Sequence, residues 1–203
     1  MGDLVGSDRE VFRKKYDDEA SDWGGTSGPG SDPFYTIEYR ALVSRLIRLN
    51  KIGSVVDIGC GDWQFSRFID FGSASYLGLD VVESVVASNK KQYTTPSVDF
   101  RIMPGELSSI PGGDMLLMKD VLQHLPDQEI FDIRDQVLGK FKYYLITNSY
   151  RKIGTAQNVD IRPGAFRCLD LMAPPYNFHG CYVLEFGSAA WEHIRVLLGG
   201  GAG

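Results

Sequence analysis

The stretch that most restricts the fold is Val55-Val56-Asp57-Ile58-Gly59-Cys60-Gly61-Asp62-Trp63. Ile52 and Val55 to Ile58 supply a short run rich in β-branched apolar residues between glycines, the pattern of a strand buried on both faces of a parallel sheet. Gly59 and Gly61 then let the chain turn sharply and bring bare backbone against a ligand, where a Cβ would clash. A dinucleotide fingerprint needs a third glycine three positions after the second, and position 64 is Gln64, so the phosphate-cradling reading is weakened. Phe65, Phe68 and Ile69 recur at helical spacing, which predicts strand, tight turn and helix in succession. A second strand, Ser75 to Leu79, ends at Asp80, an acidic residue where this kind of fold hydrogen-bonds ribose hydroxyls.

The chain continues as an alternation of strands and helices. Tyr39, Leu42, Val43, Leu46, Ile47 and Leu49 lie at helical spacing before the first strand. Val81 to Tyr93 reads as a helix, Val98 to Met103 as a third strand, Met115 to Met118 as a fourth and Tyr143 to Thr147 as a fifth. A helix opens at Pro126 and Asp127, with Asp127 able to cap it, and runs to about Leu138. Short connections between such elements indicate a mostly parallel sheet with helices on both faces. Pro163, Gly164, Pro174 and Pro175 break the region Asn148 to Phe178 into loops, and Tyr182 to Phe186 and Trp191 to Leu197 are strand candidates at the end.

An acidic residue two positions before the first glycine of Gly-x-Gly, followed by an acidic residue closing the next strand, resembles the class I S-adenosylmethionine-dependent methyltransferases. The segment Gly113-Asp114-Met115-Leu116-Leu117-Met118-Lys119-Asp120-Val121-Leu122-Gln123-His124-Leu125-Pro126 is similar to that family's fourth strand and the helix after it. The matches cover roughly residues 50 to 150, the extent of a Rossmann-like cofactor half. The resemblance implies an α/β fold with a central, mostly parallel seven-stranded sheet ending in an antiparallel hairpin. It divides the chain into a lid segment, residues 1–50, and a methyltransferase domain, residues 51–203. Within the lid, residues 11–16 hint at a short amphipathic helix and Trp23 would anchor a Gly-rich stretch that composition alone reads as a linker.

By the same resemblance S-adenosyl-L-methionine is the cofactor and S-adenosyl-L-homocysteine the product. Asp57 orients the amino-acid end, Gly59, Cys60 and Gly61 give backbone access, and Asp80 with Val81 holds the ribose. Lys119 joins this set as a positioner of cofactor or acceptor, and Glu106 is the candidate adenine contact. His124 is the candidate general base, because a neutral imidazole accepts a hydroxyl proton at physiological pH. A packing or positioning role is the competing account. Asp120 is either the base itself or the group that orients His124. Asn148, Asp160, Arg162, Arg167, Asp170 and Tyr176, all in the late region, suit a polyhydroxylated or small polar acceptor, so that region is expected to determine the substrate. No metal site is demanded by any spacing. The reaction expected is O-methylation of a small-molecule or glycan hydroxyl. N-methylation of an amino sugar, peptide or protein, or a non-catalytic cofactor-binding module, are the alternatives.

Composition narrows the classes. A net charge of -5 over 203 residues argues against a broad electrostatic grip on nucleic acid. Three cysteines, Cys60, Cys168 and Cys181, form no Cys-x-x-Cys pair, so neither a disulfide framework nor a zinc site is signalled and a reducing cytoplasm is the expectation. No apolar run reaches the length of a membrane span. Nothing in the sequence speaks to oligomeric state.

Overall fold

A computed structural model describes residues 6–151, 157–187 and 193–201. The helices are α1 (Gly6–Asp17), α2 (Ile37–Leu49), α3 (Glu83–Tyr93) and α4 (Asp127–Gln136). The strands are β1 (Ser54–Ile58), β2 (Ser75–Asp80), β3 (Val98–Ile102), β4 (Gly113–Lys119), β5 (Phe141–Arg151), β6 (Cys181–Gly187) and β7 (His193–Gly199). They form one seven-stranded sheet in the order β3-β2-β1-β4-β5-β7-β6. The first five strands pair in parallel, while β7 runs antiparallel to both β5 and β6. The expected Rossmann-like sheet with its terminal antiparallel hairpin is therefore present; the expected start of the last strand at Trp191 lies outside the described residues.

β4 explains why the central strands read as unbroken apolar runs. Met115 and Leu117 enter a core with Tyr39, Val43, Trp63, Tyr76 and Phe100 on one face. Leu116 and Met118 enter a second core with Ile130, Ile133, Leu169 and Tyr176 on the other. All four side chains are essentially inaccessible, and each such burial contributes roughly 1.5–3 kcal/mol relative to exposure. Helices α2 and α4 place their apolar faces on opposite sides of the sheet in the same way.

Two local expectations are corrected. The predicted helix after Trp63 is only a single 3-10 turn, Ser66–Phe68. Trp63, Phe65 and Ile69 are all buried in the core beneath α2 while Phe68 is exposed, so tertiary contacts hold the segment where too few helical turns exist to offset nucleation. Asp127 does not cap α4, because Pro126 occupies the cap position and the Asp127 carboxylate turns inward to Arg167 and Tyr176. Asp160 takes the capping role from outside, its Oδ1 accepting the Asp127 N–H at 2.9 Å. Strand β5 also extends beyond the five residues expected, which places Asn148 and Ser149 inside the sheet rather than in a loop.

Candidate active site

The order of strands reverses between β1 and β4, so the loops leaving their carboxyl ends diverge and leave a crevice. A cavity of about 470 Å³ opens there. At its floor the β1 turn is fastened to β2: the N–H groups of Gly59 and Cys60 both donate to the Leu79 carbonyl, at 2.8 and 3.1 Å. Gly59 has φ +72° and a Cβ on it would overlap the Val121 side chain; Gly61 has φ +56° and a Cβ there would overlap Ser27 Oγ. Both positions thus require glycine on two counts, conformation and space.

Asp80 is buried and spans the turn, accepting from Gly61 N at 2.9 Å and Val82 N at 3.0 Å. Burial raises its pKa, with those backbone donors opposing the rise. Asn89, on α3, donates to the Gly61 carbonyl at 2.7 Å, so the peptide around Gly61 is held on both sides. Asp57 is also buried and accepts the Tyr76 hydroxyl at 2.7 Å. Removal from water pushes its carboxyl up to about 7, partly countered by that hydrogen bond. The Cys60 thiol is pushed well up by burial and is therefore no nucleophile.

At the end of β4, Lys119 is buried, pairs with Asp120, donates to the Gly30 carbonyl at 2.8 Å and lies 5.3 Å over the Phe65 ring. Asp120 adopts φ +59°, an uncommon conformation for a residue with a Cβ and one that clusters at functional sites. Among the described residues its second oxygen, Oδ1, is buried without a hydrogen-bond partner, and the residue lines the cavity. A buried acceptor of that kind calls for a donor from a ligand. Asp120 makes no hydrogen bond to His124, so the expectation that it orients the imidazole is not met.

That work falls to the late region. His124 sits in a 3-10 turn, Leu122–His124, with its ring against the cavity. Its Nδ1 lies 2.9 Å from the Ala165 carbonyl. A carbonyl only accepts, so Nδ1 carries the hydrogen and Nε2 keeps the lone pair. No partner for Nε2 is found among the described residues. Burial lowers the imidazole pKa, its largest influence, although the Ala165 bond and the Asp120 charge act the other way. Gly164 N donates to the His124 carbonyl at 2.8 Å and Arg167 N to the Gln123 carbonyl at 3.2 Å, which zips the two segments together. Gln123 adds a side-chain bond, its Oε1 accepting Ser149 N at 2.6 Å.

Asp57, Gly59, Cys60, Gly61, Asp80, Val81, Lys119, Asp120 and His124 all line the cavity. Glu106 does not: it is exposed, and the neighbouring wall is Met103, Pro104 and Gly105. None of the six expected acceptor residues reaches the cavity either. Arg167 is 2% exposed and donates to Asp127 Oδ1 at 2.6 Å, to the Val159 carbonyl at 2.8 Å and to the Leu125 carbonyl. Tyr176, fully buried, donates to the same Asp127 carboxylate at 2.6 Å. Asp170 accepts the Tyr182 hydroxyl at 2.7 Å, Asn148 is buried in β5, Arg162 is exposed and Asp160 caps α4. Most of these polar groups face one another or solvent, as burial demands, although Asn148 Oδ1 and Arg167 Nε are buried without a hydrogen-bond partner among the described residues. Phe166 is the residue this region does present to the cavity.

The segment before α2, expected as a lid with Trp23 as its anchor, also supplies wall residues that sequence reasoning did not name as part of the site. Phe12 and Tyr16 of α1, with Trp23 and Ser27, line the opposite wall. Ser27 Oγ donates to Asp62 Oδ1 at 2.7 Å and lies 2.9 Å from Tyr16 Oη. Trp23 stands edge-on to His124 with ring centroids 5.3 Å apart. Asn89 and Gln123 carried no signal of their own, being single amides within a helix and a turn. Among the described residues no group of His, Cys, Asp and Glu is arranged to hold a metal ion, and no helix is long and apolar enough to cross a membrane.

This architecture recurs in solved structures. Magnesium protoporphyrin IX methyltransferase from Synechocystis PCC 6803, with bound S-adenosylmethionine, superposes with a TM-score of 0.65 over 99% of this chain and 100% of that one, at 14% identity. The 1,6-didemethyltoxoflavin-N1-methyltransferase of Burkholderia thailandensis, with its substrate and S-adenosylhomocysteine, gives 0.68 over 96% and 87%, at 16% identity. The mitomycin 7-O-methyltransferase gives 0.56 over 81% of this chain and 54% of that one, at 16% identity. No family model and no curated protein matches the chain by sequence. At these identities the likeness is one of fold: this chain has the class I methyltransferase fold.

Proposed function

We propose that the protein is an S-adenosylmethionine-dependent methyltransferase acting on a hydroxyl group of a small molecule, with His124 as general base and, of the expected lid segment, the part before α2 as the lid, since α2 itself packs in the core. The observation that carries the base assignment is the imidazole held by Ala165 with an unpartnered Nε2 against the cavity. The cavity fits the cofactor on its own features: two cramped left-handed glycines, a carboxylate at the end of β2 and the orphaned Asp120 oxygen. The solved structures of the same fold that hold S-adenosylmethionine or its product support this reading.

S-adenosylmethionine supplies a methyl group on a sulfonium that leaves as a neutral thioether, so no leaving anion needs stabilising. The remaining work is alignment and proton removal. Gly59 and Gly61 would give the cofactor close backbone approach, Asp80 would meet the ribose, and Asp57 and Asp120 would face its cationic end. His124 Nε2 takes the acceptor's hydroxyl proton. Trp23 and the Lys119 bond to the Gly30 carbonyl hold the lid down and exclude water from this pair.

Calorimetry with S-adenosylhomocysteine tests the cofactor half. Wild type is expected to bind and Asp80→Ala to bind at least about tenfold more weakly, ~1.4 kcal/mol, while remaining folded; a folded wild type that binds nothing ends the proposal. Turnover against pH tests the base. Because the His124 pKa is lowered, the acid limb is expected below the ordinary imidazole value of 6.5. His124→Ala should lose most turnover at pH 7 and recover part of it in alkali. An unchanged profile would remove His124 as base.

A further inference from the structure

Around His124 the cavity wall changes character. Phe12, Trp23 and Phe166 gather there, with Phe12 and Trp23 centroids 6.0 Å apart and Phe166 6.0 Å from the imidazole. Leu125 completes an apolar slot beside the one nitrogen with a free lone pair. The charges that line the cavity near α4 and the lid are the carboxylates Asp22, Glu129 and Asp132; Asp22 is paired with Lys15 at 2.8 Å, and that ammonium lies 5.0 Å over the Trp23 ring, so the α4 pair carries the negative character. Among the described lining residues there is no arginine, and the single lysine, Lys119, is already committed to Asp120 and Gly30. His124 is held neutral by burial and adds no positive charge.

Resting on the methyltransferase reading above, we infer that the acceptor is a planar aromatic hydroxyl compound, neutral or cationic, rather than a glycan or an anionic metabolite. A sugar presents hydroxyls around its whole ring, and leaving them unpaired in a slot of phenyl and indole rings loses their bonds to water. The polar residues of the late region that could answer them are turned into the Arg167–Asp127–Tyr176 cluster instead, and the carboxylates Asp22, Glu129 and Asp132 belong to α4 and the lid rather than to this slot. A phosphate or carboxylate would meet carboxylates and find no free guanidinium. An aromatic ring fits the rings of Phe12, Trp23 and Phe166 by offset or edge contacts, and a positive charge on it gains from the carboxylates of α4.

Four probes share or lack these features: tyramine, phenol, 4-hydroxybenzoate and methyl glucoside. Saturation-transfer NMR on protein loaded with S-adenosylhomocysteine reads their binding without requiring turnover. Tyramine and phenol are expected to bind, tyramine about tenfold more tightly than 4-hydroxybenzoate, the two differing by two units of charge at partly solvated distance. Methyl glucoside is expected to give no signal. Trp23→Ala and Phe166→Ala, both on partly exposed side chains, should each weaken phenol several-fold, and Glu129→Gln combined with Asp132→Asn should narrow the tyramine preference. Preferential binding of the glucoside or the benzoate, silence of both phenolic probes, or phenol binding unaffected by both aromatic substitutions would overturn the inference. Calorimetry of S-adenosylhomocysteine on the same sample separates the two levels: cofactor bound with phenols silent defeats the acceptor class alone, whereas phenols bound with no affinity for the cofactor defeats the methyltransferase reading.

Discussion

The carboxyl edges of β1, β2 and β4 and the region from Asn148 to Phe178 are both dense in polar residues, yet they treat those residues in opposite ways. At the strand edges the loops splay apart, so Asp57, Asp80, Asp120 and Lys119 converge on an opening. In the late region Arg167 and Tyr176 converge on Asp127 of α4, and the products of that folding are a backbone carbonyl for His124 and a phenyl ring for the cavity. A buried ionic cluster satisfies itself before it can serve a ligand. The contribution of the late region is therefore made through Ala165 and Phe166 rather than through its charged side chains.

The sharpest way to break this contrast is Arg167→Ala, which leaves the Leu125 and Val159 carbonyls without this donor and the Asp127 carboxylate with only the Tyr176 hydroxyl. A loss of about 3–5 kcal/mol in denaturant unfolding is expected, with cofactor affinity per folded molecule little changed. A loss of affinity at full stability would instead place Arg167 in the binding machinery. On the other side, Asp57→Asn probes a strand-edge carboxyl whose folded pKa, about 7, lies above its ordinary 3.8. The native state keeps a proton that the unfolded chain releases, so the associated stability is complete below about pH 4 and is lost as pH rises through 7. The substitution should remove that decline and leave the variant more stable at pH 8 by of order 1–3 kcal/mol. Thermal unfolding across pH 4 to 8 checks it, and parallel slopes for the two proteins would show the carboxyl to be ionised in the fold.

Smaller effects refine the comparison. Gly59→Ala should cost roughly 1–2 kcal/mol through its left-handed backbone, with the added methyl against Val121 closing the cofactor approach; calorimetry should show affinity falling further than stability. Tyr176→Phe removes one of two donors to Asp127 and is expected to cost about 1 kcal/mol. In ¹⁵N NMR of His124 the Nδ1-protonated tautomer should persist in this variant, because Arg167 still holds the 164–167 segment. A tautomer change would mean that the cluster is a single unit and that Tyr176 bears on the base.

The sheet was legible in the sequence because buried parallel strands leave near-continuous apolar runs, and Met115 to Met118 shows why: alternate side chains enter different cores. The glycine turn and Asp80 were legible because backbone conformation and strand-end position leave few substitutes. Glu106 and the six polar residues of the late region were misplaced for one physical reason. Charge and hydrogen-bonding capacity are properties of a residue, but whether they point at a ligand, at solvent or at one another depends on contacts such as Arg167 with Asp127, 40 positions apart.

Taken alone, the sequence determined the α/β class, the site of the turn and the residues along the strand edges, since these follow from periodicity and local backbone demands. Tertiary structure alone decided that Ala165 sets the His124 tautomer, that Phe12 joins the cavity wall and Trp23 meets His124, and that the late polar residues are turned away from the cavity. Those outcomes depend on which buried groups find partners first, and that competition is settled only when distant segments pack together.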